Sequence, residues 1–135
     1  MKFPTLPTLL ELKANYDEYD AIQRILSHQV EMPTKPREPR LSSTSPTDDE
    51  IAKYQTDKMQ YEVDKTEYLD EMRHHREFQT NLYNLLEEYI KDVSGLNSIP
   101  AQYQDKVYSH AWEDGHSDGY YSVYQKLVEL IKIFN

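Results

Sequence analysis

The side chains best suited to metal binding or catalysis lie in the stretch 110–121. It holds the only tryptophan, two of the five histidines and two of the three glycines of the chain. Its potential metal ligands are His110, Glu113, His116 and Asp118. Ligands three or four residues apart on a helix lie together, as in His-Glu-x-x-His zinc sites. His110 and His116 are six residues apart, about 240° around a helix. Only Glu113 and His116 could therefore share an ion, as half of a site completed by another helix or subunit.

A structural interpretation of the same stretch starts from Ala111, Gly115 and Gly119, which follow each other at intervals of four. On a continuous helix they form a groove without large side chains. Each glycine inside a helix costs about 1 kcal/mol relative to alanine, and the close approach of another helix would offset that cost. We expect this helix to come from residues 78–93, with Trp112 as an anchor in the core.

A turn is the third interpretation. Asp114-Gly115 and Asp118-Gly119 are both dipeptides that favour turns, and the helix would then break in two. The three interpretations stay open at this level. No phosphate loop, G-x-S-x-G elbow or cysteine nucleophile occurs elsewhere, so the sequence predicts neither an enzyme nor a cofactor.

The sequence predicts one long helix over 47–94, against which the stretch 110–121 is expected to pack. No proline or glycine interrupts it. Thr47-Asp48-Asp49-Glu50 has the spacing of a capping box at its start, and Gly95 can adopt a left-handed conformation at its end. Such a helix would extend over roughly 70 Å.

The long helix is not uniform. Its apolar residues are dense over 78–93, which predicts the half that forms a core. Before that, Tyr54, Tyr61, Tyr68 and His75 recur every seven residues. A sustained heptad is typical of a helix that supercoils with a partner. We therefore expect a coiled-coil-like arm, paired with another helix of this chain or of a second copy.

Three further segments complete the predicted architecture. A first amphipathic helix is expected over 8–29, a Pro-rich strap over 32–46 and a C-terminal helix over 104–134. Prolines at every third position favour the extended polyproline II conformation. The predicted fold class is all-α, a single helical domain over 1–135. In it, two or three long helices form an elongated hairpin or bundle with a Pro-rich strap.

Composition limits the partners. The net charge of −9 argues against direct binding to nucleic acid, which clustered Lys and Arg would drive. It is compatible with a basic protein partner or with imitation of nucleic acid. No apolar run approaches the length of a membrane span, and the N-terminus lacks the features of a signal peptide. We expect a cytoplasmic protein that does not contact membranes.

The C-terminal part of the chain resembles small accessory proteins of tailed bacteriophages. The resemblance covers about 31–135 in pattern, and the specific motif is Ala111-Trp112-Glu113-Asp114-Gly115-His116-Ser117-Asp118-Gly119-Tyr120, followed by Val123 and Leu127-Val128-Glu129-Leu130-Ile131. The resemblance implies a protein made in the cytoplasm of an infected bacterium. It carries over no catalytic residues.

These observations together predict a non-enzymatic phage protein that binds a host or phage protein and inhibits or redirects it, in host takeover or against host defence. Nucleic-acid mimicry is a special case. The predicted contact residues are Tyr54, Tyr61, Glu62, Asp64, Glu67, Tyr68, Asp70 and Glu71. A homo-oligomer, most simply a dimer, is expected. The first alternative is a self-assembling structural or scaffold protein of the virion or its assembly. A metal-dependent enzyme is a second, less favoured alternative.

Overall fold

The computed structural model describes residues 3–41 and 44–134, and every regular element in that part of the chain is helical. The five α-helices are α1 (Leu9–Asn15), α2 (Glu18–Leu26), α3 (Asp48–Ser94), α4 (Ala101–Gly115) and α5 (Tyr120–Ile131). Single 3₁₀ turns occupy Leu96–Ser98, His116–Asp118 and Lys132–Phe134. The prediction of an all-α chain with one long helix is confirmed. None of the described helices has both the length and the apolar character needed to span a membrane.

Contacts between residues divide the chain into two compact units, and the division falls within α3, after Phe78. Among the described residues, unit 1 contains Phe3 and residues 30–78, and unit 2 contains residues 4–29 and 79–134. The two units are described separately below.

Local signals set both ends of α3. At the start, the Thr47 hydroxyl oxygen accepts a hydrogen bond from the Glu50 amide at 3.2 Å, which satisfies one of the free N–H groups of the first turn. At the end, Gly95 has φ 85°, a left-handed conformation that glycine adopts without steric cost. The helix therefore runs for 47 residues between a side-chain cap and a glycine.

The N-terminal segment forms two helices rather than the one helix expected over 8–29. Tyr16 has an extended backbone, with φ −135° and ψ 149°. The carboxylate of Asp17 accepts a hydrogen bond from the Asp20 amide at 2.8 Å. Asp17 is therefore the N-cap of α2, and this local bond competes with continuation of α1.

The C-terminal helix expected over 104–134 is also two helices, and it starts earlier than expected. Proline has no N–H to lose at a helix start, so α4 begins directly after Pro100. It ends at Gly115, and the chain reverses around Gly119, which has φ 103° and ψ 172°. This conformation is essentially restricted to glycine. The turn interpretation therefore describes 116–119, and α4 and α5 form a hairpin.

Unit 2 has a continuous apolar core, to which all five α-helices contribute. Its buried residues are Leu12, Ala21, Ile22, Ile25, Leu82, Leu86, Tyr89, Ile90, Leu96, Ile99, Ala111, Val123, Leu127 and Ile131. The ammonium group of Lys13 pairs with the Asp92 carboxylate at 2.8 Å, which ties α1 to α3. The rings of Tyr19 and Tyr121 meet edge to face at 5.2 Å, which ties α2 to α5.

Unit 1 is built from the N-terminal part of α3 and the proline segment, which we define as residues 30–41. The His75 imidazole lies 3.0 Å from the Val30 carbonyl oxygen, and Pro33 is buried. The Phe78 ring stacks on Phe3, with centroids 5.1 Å apart.

Candidate functional site

An open pocket of about 350 Å³ lies on the surface of unit 2. We call it the aromatic pocket, and its lining residues are Tyr83, Glu87, Tyr108, Ser109, Trp112, Glu113 and Tyr120. Four aromatic rings and two carboxylates thus surround one cavity. Concave sites with apolar walls and a few converging polar groups are the usual form of binding sites in proteins.

Helical spacing explains how three elements supply these side chains. Tyr83 and Glu87 are four residues apart on α3, and Tyr108 and Trp112 are four apart on α4. Residues at this interval lie above one another on one face of a helix. Tyr120 is the first residue of α5, so the turn at Gly119 places its ring beside the other two helices.

The rings form inclined walls rather than a closed stack. The Trp112 and Tyr120 centroids are 5.5 Å apart at an interplanar angle of 52°. Tyr83 and Tyr120 are 6.1 Å apart at 32°. On its other side, Trp112 stacks on the His116 ring at 5.1 Å and 16°. The His116 Nδ1–H donates to the Trp112 carbonyl oxygen at 2.7 Å, which holds that stack in place.

The two carboxylates that line the pocket differ in their partners. Glu87 pairs with the Lys91 ammonium at 2.7 Å, and the same ammonium lies 4.8 Å from the centroid of the Tyr108 ring. Glu113 is exposed, and within residues 3–41 and 44–134 it has no ion pair or side-chain hydrogen bond. One carboxylate of the pocket is thus neutralised within the chain and the other is not.

Burial and neighbouring groups raise the pKa of two phenols of the pocket, those of Tyr108 and Tyr120. Burial first, and then the Glu87 carboxylate, raises the pKa of Tyr108 to about 12. The pKa of Tyr120 is also raised, by burial and then by Tyr83 and Glu87. These two phenols therefore stay protonated to a higher pH than a free tyrosine does.

The four candidate metal ligands do not form a site. His110 Nε2 lies 3.8 Å from an Asp114 oxygen, and His116 is bonded to the backbone as described. In the part of the chain that the structure describes, no three His, Asp or Glu side chains are placed to hold one metal ion. The break at 116–119 explains this, because Asp118 no longer follows the helical spacing of His110, Glu113 and His116.

Two of the three residues of the predicted packing groove, Ala111 and Gly115, are buried. The helix that packs against Gly115 is not the expected one. Ala111 is fully buried, and a Cβ on Gly115 would lie 3.0 Å from the Val123 backbone nitrogen. The close neighbour is therefore α5, not residues 78–93. Gly119 belongs to the turn, with no atom within 4 Å of a Cβ placed there. Trp112 is half-buried and lines the aromatic pocket rather than the core.

The predicted contact residues of α3 divide into two groups. Tyr54, Tyr61 and Tyr68 are half-buried, and Asp64 and Glu71 are half-buried beside them. The remaining three are exposed, namely Glu62, Glu67 and Asp70.

The five predicted acidic positions therefore do not share one exposed face. Some already have partners, since Asp64 accepts a hydrogen bond from Gln60 at 2.9 Å and Asp70 pairs with Arg73 at 2.8 Å.

The half-buried tyrosines of α3 form what we call the tyrosine stripe, namely Tyr54, Tyr61 and Tyr68. The chain's own proline segment lies beside this stripe at both ends. Near one end, the Val30 carbonyl meets His75. Near the other, a groove of about 410 Å³ is lined by residues of both parts, namely Pro39, Arg40, Leu41, Glu50, Lys53, Tyr54 and Asp57. Within the proline segment, exposure is reduced at every third position, at Val30, Pro33, Pro36 and Pro39.

A second open groove of unit 2 is apolar. Its volume is about 350 Å³, and its lining residues are Tyr103, Lys106, Val107, His110, Leu130, Ile133 and Phe134. Ile133 at its edge is 78% exposed. An exposed apolar surface of this kind is typical of contact sites.

The sequence interpretation missed the aromatic pocket because its parts lie on three helices. Tyr83 lies within the apolar part of the long helix and Tyr120 at the end of the 111–120 motif, and no local pattern by itself distinguishes Tyr108. The available signal was a repeated spacing of four, Tyr83 with Glu87 and Tyr108 with Trp112. Which helix packs on which was not readable from that spacing.

Comparisons with known proteins identify one family to which the chain is similar. No curated protein and no solved structure matches the chain. A model of a family of unknown function, DUF8546, matches residues 20–134. This match includes most of α2, all of α3 to α5 and the whole aromatic pocket. The chain belongs to the family DUF8546.

Proposed function

We propose that this chain is a non-enzymatic accessory protein of a tailed bacteriophage. It acts in the host cytoplasm by binding a protein of the host or the phage, which it inhibits or redirects. The observation that supports binding is the aromatic pocket, where four rings and two carboxylates converge on an open cavity. Tyrosine and tryptophan are enriched among the residues that dominate binding at protein interfaces. The phage origin is supported by the motif at 111–120.

The same observation indicates a basic partner. Glu113 is unpaired within the described residues, and the chain carries a net charge of −9. Opposite charge on the partner would steer its approach and fix its orientation. Nucleic-acid mimicry is not favoured, because its acidic positions on α3 are spread over a half-buried stripe and an exposed surface.

The proline segment has a supporting role in this proposal, as a strap over the tyrosine stripe. From His75 to Tyr54 the helix advances about 31 Å, and nine residues of polyproline II advance about 28 Å. A strap of this length matches the two contacts described at its ends. The half-buried rings of Tyr61 and Tyr68 would then pack on this chain, and the pocket of unit 2 would meet the partner.

The decisive experiment is capture of a partner with matched variants. The tagged protein is incubated with lysates of uninfected and phage-infected bacteria, and retained proteins are identified by mass spectrometry. A partner that is retained by the wild type and lost with Trp112→Ala supports the proposal. Leu10→Ala serves as the control, because Leu10 is 77% exposed and lines neither the aromatic pocket nor the apolar groove. Equal retention by the wild type and Trp112→Ala would contradict binding at the pocket.

Self-assembly is the second candidate function, favoured by the exposed apolar groove at Ile133 and Phe134. A scaffold or a dimer would bury this surface against a second copy. Light scattering across a concentration series measures the mass in solution. We expect Ile133→Glu to lower that mass if the groove is the contact. A monomeric wild type at all concentrations would exclude self-assembly.

A further inference from the structure

We propose that the aromatic pocket binds the guanidinium group of an arginine side chain, presented by a basic segment of the partner. This inference rests on the proposed function and specifies its ligand. It follows from three features of unit 2: a cation that contacts two residues of the lining, a second carboxylate of the lining without an ion pair among the described residues, and aromatic walls.

One cation of the chain, the Lys91 ammonium, already contacts two residues that line the pocket. The Lys91 ammonium lies against the face of Tyr108 and pairs with Glu87 at the same time, at 4.8 Å and 2.7 Å. A ring face and a carboxylate thus act together on one charged group. Aromatic faces attract cations through the negative electrostatic potential above the ring. The edge of the pocket therefore already combines the two contacts that a bound cation would make.

The remainder of the pocket repeats these two components without a cation. Glu113 follows Trp112 on α4, and the ring of Tyr120 is inclined toward the indole at 52°. Lys91 offsets the charge of Glu87 alone. An incoming cation would meet the rings of Trp112 and Tyr120 and the free carboxylate of Glu113.

Guanidinium fits these contacts better than ammonium does. It is planar and weakly hydrated, it stacks on aromatic faces, and it donates two parallel hydrogen bonds to one carboxylate. A flat group can stack on a ring of the pocket wall from the cavity side and still donate to a carboxylate of the lining. An ammonium is a compact, strongly hydrated charge that gains less from stacking.

The chain contains its own reporter for this test, since Trp112 is its only tryptophan. The probe is a short blocked Gly/Ser peptide with one central arginine, titrated while the indole fluorescence and the single indole N–H resonance are followed. Two matched peptides carry lysine or citrulline, the uncharged isostere of arginine. We expect saturable changes with arginine and at least about tenfold weaker binding with citrulline, with lysine between the two.

Variants test the residues. Glu113→Gln retains the reporter and should weaken binding of the arginine peptide severalfold, with a smaller dependence on salt. Glu129→Gln makes the same change of charge at an exposed site outside the pocket and should bind like the wild type. Equal binding of arginine and citrulline peptides would overturn the proposal. Equal binding of the arginine and lysine peptides would also overturn it. So would a Glu113→Gln variant that binds the arginine peptide as tightly as the wild type does.

The result separates this inference from the proposed function. If a captured partner is lost with Trp112→Ala but is not displaced by excess arginine peptide, the pocket is a protein-binding site and the arginine assignment is wrong. If the arginine peptide binds but Trp112→Ala retains every partner, the ligand chemistry holds and the pocket is not the site of partner capture.

Discussion

The imidazole of His75 donates its Nε2 proton to the carbonyl oxygen of Val30 across 3.0 Å, and only 2% of His75 is exposed. A carbonyl oxygen only accepts hydrogen bonds, so the Nε2 nitrogen must carry the proton. This bond joins the start of the proline segment to α3 within unit 1. It gives this buried histidine a structural role.

We expect His75→Leu to loosen the proline segment. The Val30 carbonyl would lose its partner, at a cost of about 1–3 kcal/mol. Trypsin cleavage after Arg37 and Arg40 should become faster, as mass spectrometry can follow. His74→Leu is the control, because the His74 side chain is 48% exposed. Equal cleavage rates in both variants would show that the bond does not hold the segment.

Gly115→Ala should destabilise unit 2. An added Cβ would lie 3.0 Å from the Val123 nitrogen and 3.1 Å from the Ser122 carbonyl, which are backbone atoms of α5. Overpacking costs about 1–3 kcal/mol, partly offset by the better helix propensity of alanine. We expect a lower melting temperature by circular dichroism and a further fall with Gly115→Leu. A stable Gly115→Leu variant would refute close packing at this position.

Gly119→Ala should destabilise the hairpin for a different reason. Nothing lies within 4 Å of a Cβ at this position, but φ is 103°, which costs an L-residue about 1–3 kcal/mol. The loss should therefore not grow with size, so Gly119→Leu should melt close to Gly119→Ala. A much lower melting temperature for leucine would indicate a steric contact instead.

Asp17→Ala should weaken α2 by about 1 kcal/mol, the usual contribution of an N-cap. Asp17→Asn keeps an oxygen that can accept the Asp20 N–H and should retain most of the stability. Thermal unfolding of the three proteins separates the hydrogen bond from the charge. If asparagine destabilised as much as alanine, charge rather than capping would be responsible.

Stability should fall as the pH rises from about 10 to about 12. Burial, and then Glu18, raises the pKa of Tyr89 from 10.0 to about 12. In this window the unfolded chain has lost the phenolic proton while the folded chain retains it, so alkali favours unfolding. Tyr89→Phe should reduce the slope of the unfolding free energy against pH, measured with urea. An unchanged slope would contradict the raised pKa.

The sequence predicted the elements that depend on local signals. Thr47 and Gly95 act within one turn of the helix that they bound, and both ends of α3 were found. The single helix expected over 8–29 misses the break at Asp17, because the same carboxylate suits a solvated helix face and an N-cap. A backbone bond to Asp20 decides between the two.

The aromatic pocket depends on packing, which no local pattern records. Trp112 was expected in the core because large aromatic residues usually bury there. Its half-buried position follows from the turn at Gly119, which places Tyr120 over it. The neighbour of Gly115 was misassigned for the same reason, since the hairpin brings α5 to it first.

The reduced exposure at every third position of the proline segment also constrains its evolution. Three residues of polyproline II advance about 9.3 Å, and seven residues of α-helix about 10.5 Å. In the strap that we propose, one turn of the segment would therefore match one heptad of α3 in length. In that strap, a single inserted residue would rotate Pro36 and Pro39 by about 120° relative to the helix. Related chains should thus gain or lose length between Val30 and Pro39 in threes, together with sevens in the helix.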